Sequence, residues 1–261
     1  MPSDRVPVDR GEIAYRLQGQ GPPLVLLSTL SGTWVRQVPV LRRHFTLLTY
    51  DLRGFGDSPS ADGFPDNAGH ADDLARLLDA LGFPTAAVVG LSHGGLVAQH
   101  FAGRHGDRLS GLGLVSTIAA PRRSTVLFLR MLKGFLDRDD VAGFWEVLRS
   151  FLFSAANFDK LLAREGALRE AMFNQYTAGA LLSIYGQALT HDATGWLGGV
   201  DCPTLVVGGR EDMLFPPWQT EELAALVPGS KLVLLPAAHV PPVEVPADFN
   251  HLVVDFFGGA P

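Results

Sequence analysis

One serine of this chain stands in a setting typical of a nucleophile. Ser92 lies within the glycine-rich residues 90–95, directly after the apolar residues 86–89 and directly before a helix-like stretch. A sharp strand-to-helix turn pushes a serine hydroxyl out of the backbone, and it needs glycines because a Cβ would collide with the neighbouring elements. The helix N-terminus favours negative charge, and the backbone N–H of His93 would point toward an oxyanion. The pattern therefore predicts Ser92 as a nucleophile, although the same glycines also occur in ordinary turns.

A serine nucleophile requires a base and an acid, and two later loops offer them. In enzymes with this arrangement the chain order is serine, acid, histidine, with the acid and base on loops after late strands. His239 fits among the eight histidines, since it follows the predicted strand 231–235 and precedes the last helix. Asp212, after the strand 204–207, is the predicted acid that orients the imidazole, and Glu211 is the alternative.

The order of elements predicts an α/β fold, with a mostly parallel central sheet and helices on both faces. Strands are predicted at residues 6–8, 12–17, 24–27, 45–50, 86–90, 112–115, 204–207 and 231–235, and helices at residues 34–43, 66–81, 93–104, 218–226 and 247–257. In the amphipathic helix over residues 66–81, the charged residues, Asp73 among them, lie mostly opposite the leucines.

The alternation of strands and helices is interrupted by the segment of residues 121–195, which is helix-like and rich in aromatic residues. We predict that residues 1–120 and 196–261 form the core of one domain and that residues 121–195 are a helical cap inserted into it. Such an insertion belongs over the C-terminal ends of the strands, where ligands bind. Five residues are predicted to contact the substrate: Phe128, Trp145, Phe215, Ser31 and Val240. The alternative is that the aromatic rings pack a small core of the cap itself.

Composition limits the possible partners. The net charge of −6 disfavours nucleic acid, which usually needs a basic patch. Cys202 is the single cysteine, so no intrachain disulfide forms, and no Cys and His cluster has zinc spacing. The first residues lack the apolar core of a signal peptide, and no apolar stretch is long enough to span a bilayer. We expect a cytoplasmic, soluble protein that acts on a small molecule without membrane or metal; the oligomeric state is not predicted.

Four segments together resemble the α/β-hydrolase superfamily over essentially the whole chain: residues 51–58, residues 90–95, residues 208–212, and His239 with residues 244–246. Within this superfamily, the chain is most similar to 3-oxoadipate enol-lactone hydrolases. Residues 27–34 resemble the first oxyanion loop of those enzymes. The resemblance implies that the backbone N–H groups of Leu30 and His93 form an oxyanion hole. It also implies hydrolysis of an ester or lactone with no cofactor.

Other activities are compatible with the same residues. A carbon–carbon bond hydrolase, a perhydrolase or a lyase would use the same three side chains, and a small-molecule receptor of this fold would keep them with negligible turnover. Epoxide hydrolases and haloalkane dehalogenases resemble residues 51–58 as well, but their nucleophile is an aspartate. Ser92 therefore argues against both of these classes.

Overall fold

The computed structural model describes residues 3–29, 31–163 and 176–259. Apolar runs bounded by glycine, proline and polar turns form the inner strands of one sheet, and these strands are largely buried on both faces. The strands are β1 (Asp4–Val8), β2 (Gly11–Gln18), β3 (Pro23–Leu27), β4 (Thr46–Tyr50), β5 (Ala86–Leu91), β6 (Leu109–Val115), β7 (Thr204–Gly209) and β8 (Lys231–Leu235).

The sheet has the order β1-β2-β4-β3-β5-β6-β7-β8. Strand β2 is antiparallel to β1 and β4, and every other neighbouring pair is parallel. The carboxyl ends of the parallel strands therefore meet at one edge. Ser92 follows β5 there, and the loops after β7 and β8 reach the same edge.

Helices cover both faces of the sheet, so the predicted fold class is confirmed. They are α1 (Val38–Leu41), α2 (Asn67–Ala80), α3 (His93–Arg104), α4 (Arg123–Leu136), α5 (Val141–Leu152), α6 (Ala155–Leu162), α7 (Ala178–Thr190), α8 (Pro217–Leu226), α9 (Pro241–Glu244) and α10 (Pro246–Phe257). Leu74, Phe101 and Leu223 pack α2, α3 and α8 into one buried cluster. Leu41 and Phe249 pack α1 and α10 into another.

The helix predicted over residues 34–43 is wrong in extent. A 3-10 turn at Ser31–Trp34 comes first, and α1 covers only Val38–Leu41. Pro39 explains the difference, because its ring has no N–H and clashes with the preceding turn in a helix interior. Proline is tolerated in the first helical turn, and a helix starting at Val38 places it there.

Asp73 does not face solvent, contrary to the helical pattern. Its side chain is 1% exposed and accepts hydrogen bonds from Arg53 Nε at 2.8 Å and Nη2 at 3.3 Å. Burial raises the pKa of Asp73, while the guanidinium of Arg53 opposes that shift. The pair fastens α2 to the turn after β4, a partner that helical periodicity cannot reveal.

Helices α4 to α7 lie between β6 and β7 in the chain, where the cap is predicted. Leu132, Phe144 and Leu181 form a common core of α4, α5 and α7, which rests on Leu96 of α3 and on Phe215. The boundaries of the cap at residues 121 and 195 stay a prediction. Within the described ranges, no helix combines the length and the apolar character that crossing a membrane demands.

Candidate active site

Ser92 occupies a strained turn between β5 and α3. Its φ of 52° is a conformation that residues with a side chain rarely adopt. A Cβ on Gly90 would overlap the carbonyl oxygen of Gly94, and a Cβ on Gly94 would overlap that of Leu27 in β3. The turn is also fixed by the Ser92 N–H, which donates to Val115 O at 2.9 Å. These close approaches give the glycines the role that the sequence pattern predicts.

The side chains of Ser92, His239 and Asp212 form a continuous chain of hydrogen bonds. His239 Nε2 lies 2.9 Å from Ser92 Oγ, and His239 Nδ1 lies 2.9 Å from Asp212 Oδ2. A carboxylate only accepts, so Nδ1 carries the proton and Nε2 is free to accept from the serine hydroxyl. His239 and Asp212 are buried. The structure thus brings together the three residues predicted to be catalytic.

The second oxygen of the Asp212 carboxylate is held by the backbone. Asp212 Oδ1 accepts from the N–H groups of Leu214 and Phe215, each at 2.9 Å. The Phe215 ring stands edge-on to the His239 ring, with centroids 5.3 Å apart. The carboxylate therefore has a fixed orientation, and Phe215 supports the imidazole from the side.

The carboxylate of Glu211, the alternative acid, binds the cap and not His239. Its Oε2 accepts from the N–H of Ala155 at 3.1 Å, at the start of α6. The N–H of Glu211 donates to Ala237 O. Of the two carboxylates, the one in contact with His239 is that of Asp212.

The backbone N–H groups of His93 and Leu30 are the two predicted oxyanion donors. His93 is the first residue of α3, and the first N–H groups of a helix have no partner within it. Leu30 lies outside the described residues. The backbone on either side of it is fixed, because Leu52 N–H donates to Thr29 O at 3.2 Å and Ser31 N–H donates to Asp51 Oδ1 at 2.7 Å.

A cavity of about 150 Å³ opens beside Ser92 and His239. Its walls come from the sheet edge, the loops after β3 and β8, and the cap. Besides Ser92 and His239, the described lining residues are Ser28, Thr29, Thr33, Leu91, His93, Leu148, Leu152, Tyr176, Leu181, Ile184, Tyr185, Leu214 and Val240. The nucleophile thus faces a largely apolar space.

A model of the α/β-hydrolase-fold family matches residues 22–245. The chain belongs to the α/β-hydrolase family. It is 32% identical to a pimeloyl-(acyl-carrier protein) methyl ester esterase of Chromobacterium violaceum, over 88% of this chain and 92% of that protein. Its structure is similar to a thermophilic esterase from Thermogutta terrifontis (TM-score 0.87, 30% identity, 98% of both chains). An enol-lactonase from Burkholderia xenovorans LB400 is also similar (TM-score 0.88, 27% identity, 97% of this chain and 99% of that one).

The comparisons confirm the resemblance expected from the motifs. Of the five predicted substrate contacts of this α/β hydrolase, one lies in the cavity wall. Val240 lines the cavity, but Ser31, Phe128, Trp145 and Phe215 are not among its described lining residues. Phe128 packs against the ring of Phe151, 4.6 Å between centroids, and Trp145 is buried in the core of the cap. Phe128 and Trp145 therefore pack within the cap, which is the alternative considered for the aromatic residues.

Sequence reasoning missed most of the cavity wall of this hydrolase. Leu148 and Leu152 of α5 are four residues apart and share a face, but this spacing does not show that the face borders the cavity. Tyr176 and Tyr185 add two phenols, and burial raises the pKa of Tyr176 to about 12 and that of Tyr185 further. Both hydroxyls stay protonated at neutral pH and can donate hydrogen bonds.

The imidazole of His93, the residue after the nucleophile, is buried. It meets the ring of His70 edge-on, with centroids 6.2 Å apart. Burial lowers the pKa of His93 to about 4, with a small opposing effect of the Gln187 side chain, and lowers that of His70 well below its usual range. This hydrolase therefore keeps two adjacent buried imidazoles neutral at neutral pH.

Proposed function

We propose that this protein is a cofactor-independent serine hydrolase that cleaves a carboxylic ester or lactone of a small, largely apolar molecule. The observation that carries the proposal is the hydrogen-bonded chain Ser92–His239–Asp212, placed on the wall of an apolar cavity. An esterase relative at 32% identity and a structurally similar enol-lactonase support the same reaction class.

The geometry suggests how the reaction proceeds. Ser92 Oγ attacks the substrate carbonyl as His239 Nε2 takes its proton, and the Asp212 carboxylate stabilises the imidazolium that forms. His239 then returns the proton to the departing alcohol, leaving an acyl-enzyme. In the second half, water attacks the acyl carbonyl as it gives a proton to His239. His239 then returns that proton to Ser92 Oγ as the acyl–Oγ bond breaks and the acid leaves. The N–H of His93, with that of Leu30 as the expected second donor, would hold the oxyanion in both halves.

The cavity restricts what can occupy it. Its volume of about 150 Å³ equals that of engineered protein cavities that accept one benzene molecule. Leu148, Leu181, Ile184 and Val240 present aliphatic surface there. We therefore expect the part of the substrate that lies in this cavity to be a short acyl chain or a single ring.

Replacing the nucleophile tests the reaction. In Ser92→Ala we expect kcat on a p-nitrophenyl ester to fall by at least about 10⁴-fold, because no hydroxyl remains to form the acyl-enzyme. A fluorophosphonate probe should label the wild type and not this variant. Ser110→Ala is the matched control, since Ser110 is an exposed residue of β6.

The outcomes separate the alternatives. Wild-type-like turnover or labelling in Ser92→Ala would contradict the role of this serine. A native protein that is neither labelled nor active on a panel of esters and lactones would instead favour a receptor. Adding vinylogous diketones to the panel distinguishes carbon–carbon bond hydrolysis.

We further propose that the protein acts in the cytoplasm on free small molecules. Its net charge of −6 supports the exclusion of nucleic acids, because binding a polyanion depends on neutralising its phosphates with cationic side chains. Fractionation of cells followed by detection of the labelled protein tests the location.

A further inference from the structure

The carboxylate of Glu244, in α9, receives four hydrogen bonds that play no part in the reaction steps above. Its Oε1 accepts from the N–H of Ala238 at 2.7 Å. Its Oε2 accepts from the N–H and the hydroxyl of Ser154 at 2.8 and 2.6 Å and from Asn157 Nδ2 at 3.2 Å. All four donors are uncharged groups, and Ser154 is buried. One carboxylate thus joins the residue before His239 to the turn between α5 and α6 of the cap.

The base itself is fastened to the same turn. The N–H of His239 donates to the carbonyl oxygen of Leu152, the last residue of α5, at 3.2 Å. Residues 238 and 239 are therefore both bound to the α5–α6 turn, one through a carboxylate and one directly. A shift of this turn would move the backbone from which the imidazole projects.

We propose that Glu244 is a positioning residue, which keeps His239 aligned between Ser92 and Asp212 by fixing its loop to the cap. The inference rests on the proposed function, in which His239 is the base. Hydrogen bonds to an ionised group are about twice as strong as neutral ones. Misplacing a reacting group by about 1 Å can reduce a rate about 100-fold. The cap then has two roles, because it covers the cavity and also holds the base.

Glu244→Gln tests the proposal with little change of shape. The glutamine amide must present its NH₂ either to Ala238 N–H or to the Ser154 donors, so two donors face each other. We expect kcat for p-nitrophenyl butyrate to fall about 10- to 100-fold, with KM changed less than about threefold. Ser154→Ala, which removes one donor of the cap, should lose less.

A matched control removes a glutamate elsewhere. Glu222 pairs with Arg122 in an exposed contact, so Glu222→Gln should leave kcat unchanged. The acidic limb of the profile of kcat/KM against pH reports the essential base. It should shift in Glu244→Gln and not in Glu222→Gln. A lowered melting temperature with unchanged kcat and pH profile would show that Glu244 only stabilises the fold, and would overturn the proposal.

A second measurement does not depend on turnover. The Nδ1 proton between His239 and Asp212 should give a downfield proton NMR resonance, assigned by its loss in His239→Ala. We expect Glu244→Gln to shift or broaden it and Glu222→Gln to leave it unchanged. An unaltered resonance in Glu244→Gln would overturn the positioning role. A wild type that hydrolyses no ester or lactone would contradict the proposed function, while this resonance would still decide the role of Glu244.

Discussion

At the scale of single residues, the Asp212 carboxylate has both of its oxygens occupied, by two backbone N–H groups and by the ring of His239. Asp212→Asn cannot satisfy all three donors. With its oxygen toward the backbone, its NH₂ faces Nδ1 and favours the tautomer protonated at Nε2, which cannot accept from Ser92. We expect kcat to fall about 10⁴-fold with the fold intact, as steady-state kinetics and circular dichroism would show.

Glu211→Gln is the comparison for that experiment, because Glu211 is the neighbouring carboxylate and contacts the cap instead. The glutamine amide oxygen can still accept from the N–H of Ala155, so the variant should retain turnover within a few-fold of the wild type. If Glu211→Gln lost the activity and Asp212→Asn kept it, the acid would be assigned to the wrong residue.

At the scale of elements, α3 and β3 approach each other closely at the site. A Cβ on Gly94 would overlap the carbonyl oxygen of Leu27, so Gly94→Ala must push the helix away from the sheet. We expect it to lower the free energy of unfolding by about 2 kcal/mol or more, measured by urea denaturation. Gly106→Ala is the control, since its added methyl meets no described atom within 4 Å and should change stability by less than about 0.5 kcal/mol. Equal losses in both variants would contradict the close approach.

The elements also show which parts of the site a sequence can predict. Ser92, Asp212 and His239 follow strands that are recognisable as apolar runs, so their shared sheet edge could be inferred from the chain order. The residues that form the wall of the cavity could not be predicted in this way. Leu148 and Tyr185 lie on cap helices with apolar residues on more than one side, and tertiary packing decides which side faces the cavity. The pairing of Asp73 with Arg53 could not be predicted either, because Arg53 is distant in sequence.

At the scale of the whole molecule, buried neutral histidines make stability depend on pH. Burial lowers the pKa of His93 to about 4 and that of His191 to about 3, against about 6.5 in an unfolded chain. Below pH 6.5 these histidines bind protons in the unfolded chain but stay unprotonated in the folded one. The contribution of these groups is therefore complete above pH 6.5 and is lost as the pH falls toward their folded pKa values.

His191→Gln isolates one of these groups. Each such histidine adds up to about 1.4 kcal/mol per pH unit to the slope of unfolding free energy against pH. The slope between pH 6 and pH 4.5 should therefore be shallower in this variant, by urea denaturation at several pH values. His251→Gln should keep the wild-type slope, because the His251 side chain is 79% exposed. Identical slopes in all three proteins would refute a buried neutral His191.

The distance along the chain between Ser92 and His239, 147 residues, has a consequence for biosynthesis. At about 5 to 20 residues per second, a ribosome needs roughly 7 to 30 s to pass from one to the other. During that interval the nascent chain carries its serine without a partner to remove the proton. The newly made polypeptide therefore cannot hydrolyse esters around it until β7 and β8 have joined the sheet. The time at which activity appears would thus report when folding is complete.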